Sequence, residues 1–229
     1  MTADGIEAGA RSVRAAAPDA ALPAVPTVIV LTDRHAAEGP GGGLEAVVAA
    51  ALDAGAGAVV LREKDLPAGR RHRLAEGLRS ATAVRRAELW VAGDVALAAA
   101  IGADGVHLAA DQPCPASTPG LRVGRSCHTL AELTGARDEA VDRVTYSPVY
   151  VTASKPGYGP ALGPEGLATG CKAVAGLPVI ALGGVEPGNA GACLSAGAAG
   201  VALMGAVMRA DDPGAVVRSV IDELRRAHA

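Results

Sequence analysis

From Thr27 onward, short apolar runs alternate with longer alanine-rich segments in which apolar residues recur at helical spacing. Each run holds four to six residues, mostly β-branched or Leu, and is predicted to form a buried β-strand. The predicted strands span residues 27–31, 58–62, 88–92, 104–108, 121–124, 142–147, 178–182 and 200–204. The predicted helices span residues 44–54, 68–86, 94–102, 129–139, 164–175, 187–196 and 214–227.

This alternation predicts a parallel sheet of βαβ units, which right-handed crossovers wind in one direction. Eight strands within about 200 residues favour closure into a single (β/α)8 TIM barrel over an open, doubly wound sheet. The open alternative also lacks its signature, because no G-x-G-x-x-G sequence follows the first strand. We therefore predict an α/β fold with one barrel domain over residues 27–229, preceded by a disordered, alanine-rich leader over residues 1–26.

The composition narrows the range of partners. The chain has no Phe, one Trp and three Tyr, so it offers few rings on which nucleic-acid bases could stack. Its formal net charge is −3, without a basic block or an acidic tail, which argues against a nucleic-acid partner and a charged membrane surface. No run of about 18 apolar residues is free of charges or turn residues, so no membrane span is expected.

The cysteines carry little functional signal. The four of them are scattered without C-x-x-C spacing, at Cys114, Cys127, Cys171 and Cys193. Neither a disulfide framework nor a zinc site is predicted, and reduced thiols are typical of the cytoplasm, which is the predicted location. No stripe of residues marks a subunit interface, and the sequence leaves a homodimer open.

The candidate chemistry lies where the strands end, because the carboxyl ends of barrel strands form the functional face. After strands 7 and 8 these ends are the turns Gly183-Gly184 and Met204-Gly205. Glycines there let backbone N–H groups approach an anion, and many barrels hold phosphate in these two loops. We therefore predict a phosphate site, with simple tight turns as the alternative interpretation.

Other strand ends carry cationic and hydroxyl side chains. Arg62 and Lys64 lie two positions apart at the end of strand 2 and point to the same side, which suits an anionic group or an exposed salt bridge. The Gly- and Pro-rich segment 147–163 carries Thr152 and Ser154 next to Lys155. It is predicted to be a loop that covers a ligand, or else a surface loop without a role.

Two histidines and a serine complete the candidate site. His128 follows strand 5, and its imidazole belongs to the side-chain type best suited to proton transfer near neutral pH. A structural histidine at a helix start is the alternative. Ser126 precedes it by two positions, and His107 lies within strand 4, where it faces either the ligand or the packed barrel interior.

Six segments share their order and spacing with one known group of proteins. They are LREKD (61–65), AAAIGADGVHLA (98–109), GRSCHT (124–129), YSPVYVTASKPGYG (146–159), PVIALGGVEPGNA (178–190) and AGAAGVALMGAVMRADDP (196–213). Together they resemble the thiamine-phosphate synthase/TenI superfamily, whose members are (β/α)8 barrels that act on thiazole phosphates. The resemblance implies a small phosphorylated heterocyclic substrate. It places the thiazole phosphate on Ser126, Thr152, Ser154, Lys155 and the turns Gly183-Gly184 and Met204-Gly205.

The chain departs from the synthase branch at three polar positions. Synthases join a hydroxymethylpyrimidine diphosphate to a thiazole phosphate, with Mg²⁺ and cationic residues taking up the charge that develops as pyrophosphate leaves. Their pattern places a Gln, an Asn-Asp pair and a further Asp where this chain has Val60, Ala92-Gly93 and Gln112. If the chain is a synthase, the adjacent Asp94 and Asp111 are the carboxylates left to bind Mg²⁺. Because Mg²⁺ demands near-octahedral oxygen geometry, displaced carboxylates replace the lost ligands poorly without a loop shift.

The TenI branch needs only the thiazole-phosphate half of the pocket. Its reaction aromatises a thiazole carboxylate phosphate tautomer by a proton shift, without a metal or another cofactor. The resemblance assigns the proton transfer to the histidine of the S-x-H-[ST] segment, here His128, which both branches share. Because the changed metal positions then decide, we predict a thiazole tautomerase without a cofactor. Thiamine-phosphate synthase is the alternative, and a non-catalytic, TenI-like binding or regulatory protein is the second alternative.

Overall fold

The strands of this protein run parallel and pair in sequence order, with β8 returning to β1, so that the sheet closes into a barrel. The computed structural model describes residues 28–39, 42–118, 120–139, 141–152 and 160–228. The strands are β1 Val28–Leu31, β2 Ala58–Leu61, β3 Glu88–Ala92, β4 Gly105–Leu108, β5 Arg122–Cys127, β6 Arg143–Tyr146, β7 Val179–Leu182 and β8 Gly200–Leu203. The predicted (β/α)8 barrel is confirmed.

Helices alternate with these strands around the outside of the barrel. They are α1 Leu44–Asp53, α2 Ala68–Val84, α3 Val95–Ala100, α4 Leu130–Asp138, α5 Gly163–Ala173, α6 Ala190–Ser195, α7 Gly205–Met208 and α8 Pro213–His228. All correspond to predicted helices except the four-residue α7, which begins at Gly205, where a turn was predicted. None of the helices in the described ranges combines the length and the apolar character needed to span a membrane.

The predicted leader over residues 1–26 lies outside the described residues, and the domain boundary at residue 27 stays a prediction.

The apolar residues form two layers. One layer lies between the sheet and the helices, where α8 contributes the buried side chains of Val217, Val220 and Leu224. The other fills the inside of the barrel with small and branched side chains around one large ring: Ile29, Leu31, Ala58, Val60, Trp90, Ala92, Ile180 and Ala202. Because β1, β2 and β8 are buried at every position, their sequences are continuous apolar runs rather than alternating ones.

Trp90, the one tryptophan of the chain, fills the barrel interior because two neighbouring strands carry glycines opposite it. A β-carbon at Gly105 would lie 2.6 Å from the Trp90 ring, and one at Gly124 would lie 2.6 Å from Nδ1 of His107. Any larger residue on β4 or β5 at these positions would overlap the ring or the imidazole. The glycines therefore determine which large side chains the interior can hold.

A partly buried ionic cluster lies at the amino-terminal end of the barrel. Glu88 accepts a hydrogen bond from the Trp90 indole (2.8 Å) and pairs with Arg122 (2.7 Å) and Arg143 (3.6 Å). The Arg143 guanidinium also stacks 3.5 Å from the centroid of the Trp90 ring. Burial lowers the pKa of Arg143 to about 9, against the opposing effect of Glu88. These side chains fill the amino-terminal end of the barrel, and a cavity lies at the opposite, carboxyl end of the strands.

Candidate active site

The carboxyl ends of the strands surround a cavity of about 740 Å³, a size that suits a small-molecule ligand. Every predicted substrate-binding residue within the described ranges lines this cavity: Arg62, Lys64, Ser126, Thr152, Gly183, Gly184, Met204 and Gly205. His128 lines it too, as do His107, Asp111 and Arg209. The predicted binding residues Ser154 and Lys155 lie outside the described residues, and their roles stay predictions.

Arg62 and Lys64 enter the cavity from the end of β2. The Arg62 backbone N–H donates to Oγ1 of Thr32 (2.9 Å), and its Nη1 contacts Sδ of Met204 (2.9 Å), so the guanidinium reaches across to the end of β8. Glu63, between them, is buried on the opposite side and accepts from Arg34 (2.9 Å). Both cations thus line the ligand space, whereas Glu63 does not.

The turn after β7 is packed against the segment that follows β6. Gly183 and Gly184 have φ values of 94° and 66°, the left-handed region in which side chains are strained. A β-carbon on Gly184 would lie 2.6 Å from the Val151 carbonyl oxygen, and Tyr150 donates its backbone N–H to the Gly183 carbonyl (2.9 Å). These glycines therefore allow a close approach of two backbone segments, and both segments line the cavity.

The turn after β8 leads directly into α7, whose first residue is Gly205. A β-carbon at Gly205 would collide with the guanidinium of Arg209, which also lines the cavity. Arg209 was not predicted from the sequence, because it lies five positions after Met204 and only a helical turn brings its side chain back to the cavity. Recognition of the short helix α7 would have pointed to it, since residues four apart on a helix share one face.

His107 faces the barrel interior and the cavity at once. Its Nε2 lies 3.1 Å from Oγ of Ser126 and 3.3 Å from Oγ1 of Thr145. Burial, followed by the positive charges of Arg143 and Arg62, lowers the pKa of His107 to about 3. The imidazole is therefore neutral at physiological pH, and as a hydrogen-bonding group it orients the Ser126 hydroxyl at the cavity wall.

Replacing His107 by glutamine, which does not titrate, is expected to flatten the pH dependence of stability on the acid side. Because the folded-state pKa of about 3 lies below the ordinary value of 6.5, unfolding takes up a proton between these values. The free energy of unfolding of the unaltered protein therefore falls as the pH falls through this window, by up to about 1.4 kcal/mol per pH unit. Well above pH 6.5 this histidine is unprotonated in both the folded and the unfolded state, so the free energy of unfolding no longer depends on its titration.

Urea unfolding of both proteins from about pH 7 to about pH 4.5 measures the difference in slope. The control His72→Gln removes a more exposed histidine on α2 and shows what the loss of one imidazole outside the barrel interior does to the slope. Equal slopes for all three proteins would show that His107 does not titrate in the way described.

His128 lies two residues before the start of α4 and also lines the cavity, so its position is compatible with both a structural role at the helix start and a role in proton transfer. Its Nδ1 lies 3.0 Å from the Ser147 carbonyl oxygen and 3.1 Å from Oγ of Ser147, and a carbonyl can only accept. In the neutral ring the proton therefore resides on Nδ1. The next residue, Thr129, forms a capping box with Glu132, which also accepts from the His128 backbone N–H (2.5 Å).

Asp94, one of the two carboxylates considered for Mg²⁺, is engaged in structural contacts. Its Oδ1 accepts from the Leu97 backbone N–H (2.9 Å) as the N-cap of α3, and its Oδ2 pairs with Arg71 (3.0 Å). Arg71 also donates to the Ala92 carbonyl (3.0 Å), which anchors the whole turn. The other carboxylate, Asp111, is exposed and lines the cavity.

The residues present do not fit a magnesium site of two carboxylates. Gly93 and Gln112 stand where the synthase pattern places acidic ligands, and the Gln112 amide donates to the Gly93 carbonyl (2.8 Å). No three His, Cys, Asp or Glu side chains converge on a metal position within the described ranges. Val60, where the same pattern has a Gln, is buried in the barrel interior.

Most of this chain is similar in sequence to known proteins. The family model described as thiamine monophosphate synthase matches residues 28–207. The thiamine biosynthesis bifunctional protein ThiM/ThiE of Symbiobacterium thermophilum is 43% identical over 79% of this chain, which spans 38% of the length of that relative. A putative thiamine-phosphate synthase of Geobacter sulfurreducens is 40% identical, over 85% of this chain and 92% of its own.

A solved structure agrees with these sequence relatives. The thiamine phosphate pyrophosphorylase from Pyrococcus furiosus superposes with a TM-score of 0.78 at 28% identity, covering 89% of this chain and 97% of its own. The resemblance to the thiamine-phosphate synthase/TenI superfamily is thereby confirmed.

The prediction of a thiazole tautomerase as the main function was wrong. Relatives at 40% and 37% identity bear the name of thiamine-phosphate synthase, which supports the synthase alternative. The tautomerase prediction gave most weight to the changed positions Val60, Ala92-Gly93 and Gln112. Identity of 40% and 37% over 85% and 87% of the chain outweighs changes at these few positions. The chain belongs to the thiamine monophosphate synthase family.

Proposed function

We propose that this chain is a thiamine-phosphate synthase, a transferase that joins hydroxymethylpyrimidine diphosphate to a thiazole phosphate and releases pyrophosphate. The observation that carries the proposal is that two features suited to binding anions line the same cavity. The cations Arg62 and Lys64 lie at the end of β2, and glycine turns follow β7 and β8. A condensation of two phosphorylated substrates needs both features, and relatives of this name share the family.

The proposed reaction is a substitution at the methylene carbon of the pyrimidine. The C–O bond to the diphosphate breaks, pyrophosphate leaves with the electron pair, and the thiazole nitrogen forms the new C–N bond. Negative charge accumulates on the leaving oxygens, so cations already held beside them stabilise the transition state more than the ground state. Arg62 is tied to the β8 turn through Met204 and is therefore held in place before the substrate binds.

The cavity floor suits a cationic intermediate that must be kept from water. The apolar side chains of Leu31, Ala92, Leu182 and Ala202 line it from the barrel interior, and apolar surface of this kind reduces the contact of the intermediate with water. Hydroxyl groups of Ser126 and Thr152 lie at the walls, where they can hold ring or phosphate oxygens of the second substrate. Neutral His107 orients the Ser126 hydroxyl without adding a charge that would repel the cation.

Pyrophosphate release from the purified protein tests the proposal. With both substrates present we expect one pyrophosphate for each thiamine phosphate formed, and with the pyrimidine diphosphate alone we expect none. The reaction is followed in EDTA and in MgCl2, so that the result does not depend on the metal requirement. No pyrophosphate under either condition would refute the synthase assignment.

A further inference from the structure

We propose that this chain holds the diphosphate end of its substrate with the Lys64 ammonium and without a bound divalent cation. The inference rests on the proposed function, which supplies the diphosphate. It is drawn from the contacts among Lys64, Gly93 and Gln112, which meet between the ends of β2, β3 and β4 at the edge of the cavity.

The first observation is that the two changed positions contact each other directly. Gln112 Nε2 donates to the Gly93 carbonyl (2.8 Å), and Gln112 Oε1 accepts from the Ala109 backbone N–H (3.4 Å). The amide is therefore used at both ends. A carboxylate at this position has no N–H to donate, so it would leave the Gly93 carbonyl without this bond. The pair forms a neutral tie between the loops after β3 and β4.

The second observation is that Asp94 is committed elsewhere. Both of its oxygens are used, one by the Leu97 backbone N–H and one by Arg71. Turning this carboxylate towards the cavity would uncap α3 and leave the Arg71 guanidinium, whose Nη2 is already bonded to the Ala92 carbonyl, without its counter-charge. These contacts stabilise the present orientation of Asp94, away from the ligand space.

The third observation is that the Lys64 ammonium lies next to Gly93, where the synthase pattern has a carboxylate. A β-carbon on Gly93 would lie 3.4 Å from Nζ of Lys64, so the ammonium is adjacent to the position where the synthase pattern has a metal-binding carboxylate. A divalent cation with two carboxylates is neutral overall, and so are a glycine and a glutamine. The replacement therefore leaves the positive charges of Lys64 and Arg62 undiminished for a diphosphate.

A double substitution that restores the acidic pair provides a matched variant. Gly93→Asp alone would bring a side chain to within 3.1 Å of Oε1 of Gln112, but Gln112→Asp shortens that neighbour and makes room. Gly93 has a φ of 71°, a left-handed conformation that Asp tolerates better than most residues. Thermal melts establish that the double variant is folded before it is used.

Isothermal titration calorimetry with inorganic pyrophosphate in EDTA is the central experiment. We expect the unaltered protein to bind pyrophosphate, and we expect Lys64→Met to weaken this binding by at least about tenfold. In the double variant two new negative charges beside Lys64 should also weaken binding in EDTA by at least about tenfold, because like charges repel. Titration with Mn²⁺ alone should show a metal site in the double variant and none at this place in the unaltered protein.

Two outcomes would overturn the proposal. One is that the unaltered protein does not bind pyrophosphate in EDTA, or that Lys64→Met binds it as tightly as the unaltered protein does. The other is substrate coupling that is lost in EDTA and restored by MgCl2, which would leave the synthase function standing and refute only the metal-free subsite. Conversely, binding in EDTA without any coupling would retain the subsite and refute the function. If the double variant does not fold, the unaltered protein and Lys64→Met still decide.

Discussion

Lys64→Met is expected to lower kcat/KM for pyrophosphate release by about 10³-fold, equivalent to about 4 kcal/mol of transition-state stabilisation. Methionine keeps most of the unbranched stem of lysine and removes the ammonium, so the change isolates the charge. The effect is large because the charge on the leaving pyrophosphate develops in a cavity with an apolar floor, where a fixed cation is screened less than in water.

Steady-state measurement of pyrophosphate release gives kcat and KM separately. A loss mainly in kcat indicates a charge contact that strengthens in the transition state, whereas a loss only in KM indicates uniform binding. Arg226→Met serves as the matched control, because Arg226 is exposed on α8 and lies outside the cavity lining. If Lys64→Met reacts as fast as this control, Lys64 has no part in holding the diphosphate.

Gly184→Ala is expected to destabilise the fold by about 3–4 kcal/mol and to lower Tm by about 10 °C. Two costs add at this position. The φ of 66° is unfavourable for an L side chain, and the new methyl group would lie 2.6 Å from the Val151 carbonyl oxygen and 2.7 Å from Cβ of Tyr150. The turn after β7 would have to separate from the segment after β6, where Tyr150 bonds to Gly183.

Gly188→Ala is the control that separates these two costs. Gly188 also has a positive φ, 99°, but no atom lies within 4 Å of a β-carbon placed there. It should therefore lose only the backbone contribution, about 1–2 kcal/mol. Thermal unfolding of the three proteins under identical conditions gives both differences. Equal losses for Gly184→Ala and Gly188→Ala would mean that the contact with Val151 carries no energetic weight.

The barrel was predictable from the sequence because its determinants are local. A strand such as β1, buried on both faces, appears as a short apolar run, and an outer helix appears as a repeat with helical spacing. Strand β5 was predicted too short, since its last residues include Ser126 and lack the apolar character of the others. It extends to Cys127 because that residue pairs with Tyr146 of β6.

The positions of the candidate site were predictable for a topological reason. In a parallel barrel all carboxyl ends meet at one face, so residues that follow strands share a cavity however far apart they are in sequence. Arg62 and Met204 illustrate this, since 142 residues separate them and their side chains touch. Arg209 was not predicted because the helix that precedes it has four residues, about one turn, which is too few for a helical repeat to show in the sequence.

The sequence by itself thus determined the fold, the superfamily and the end of the barrel where the candidate site was sought, because these follow from periodicity and from residues in fixed order. Only the tertiary structure decided which groups touch across strands. In the folded protein Gln112 bonds to Gly93, and Asp94 pairs with Arg71. His107 is buried near cationic side chains, which lowers its pKa and keeps it neutral. Such contacts depend on distances between residues remote in sequence, and electrostatic and hydrogen-bond energies change steeply over those distances.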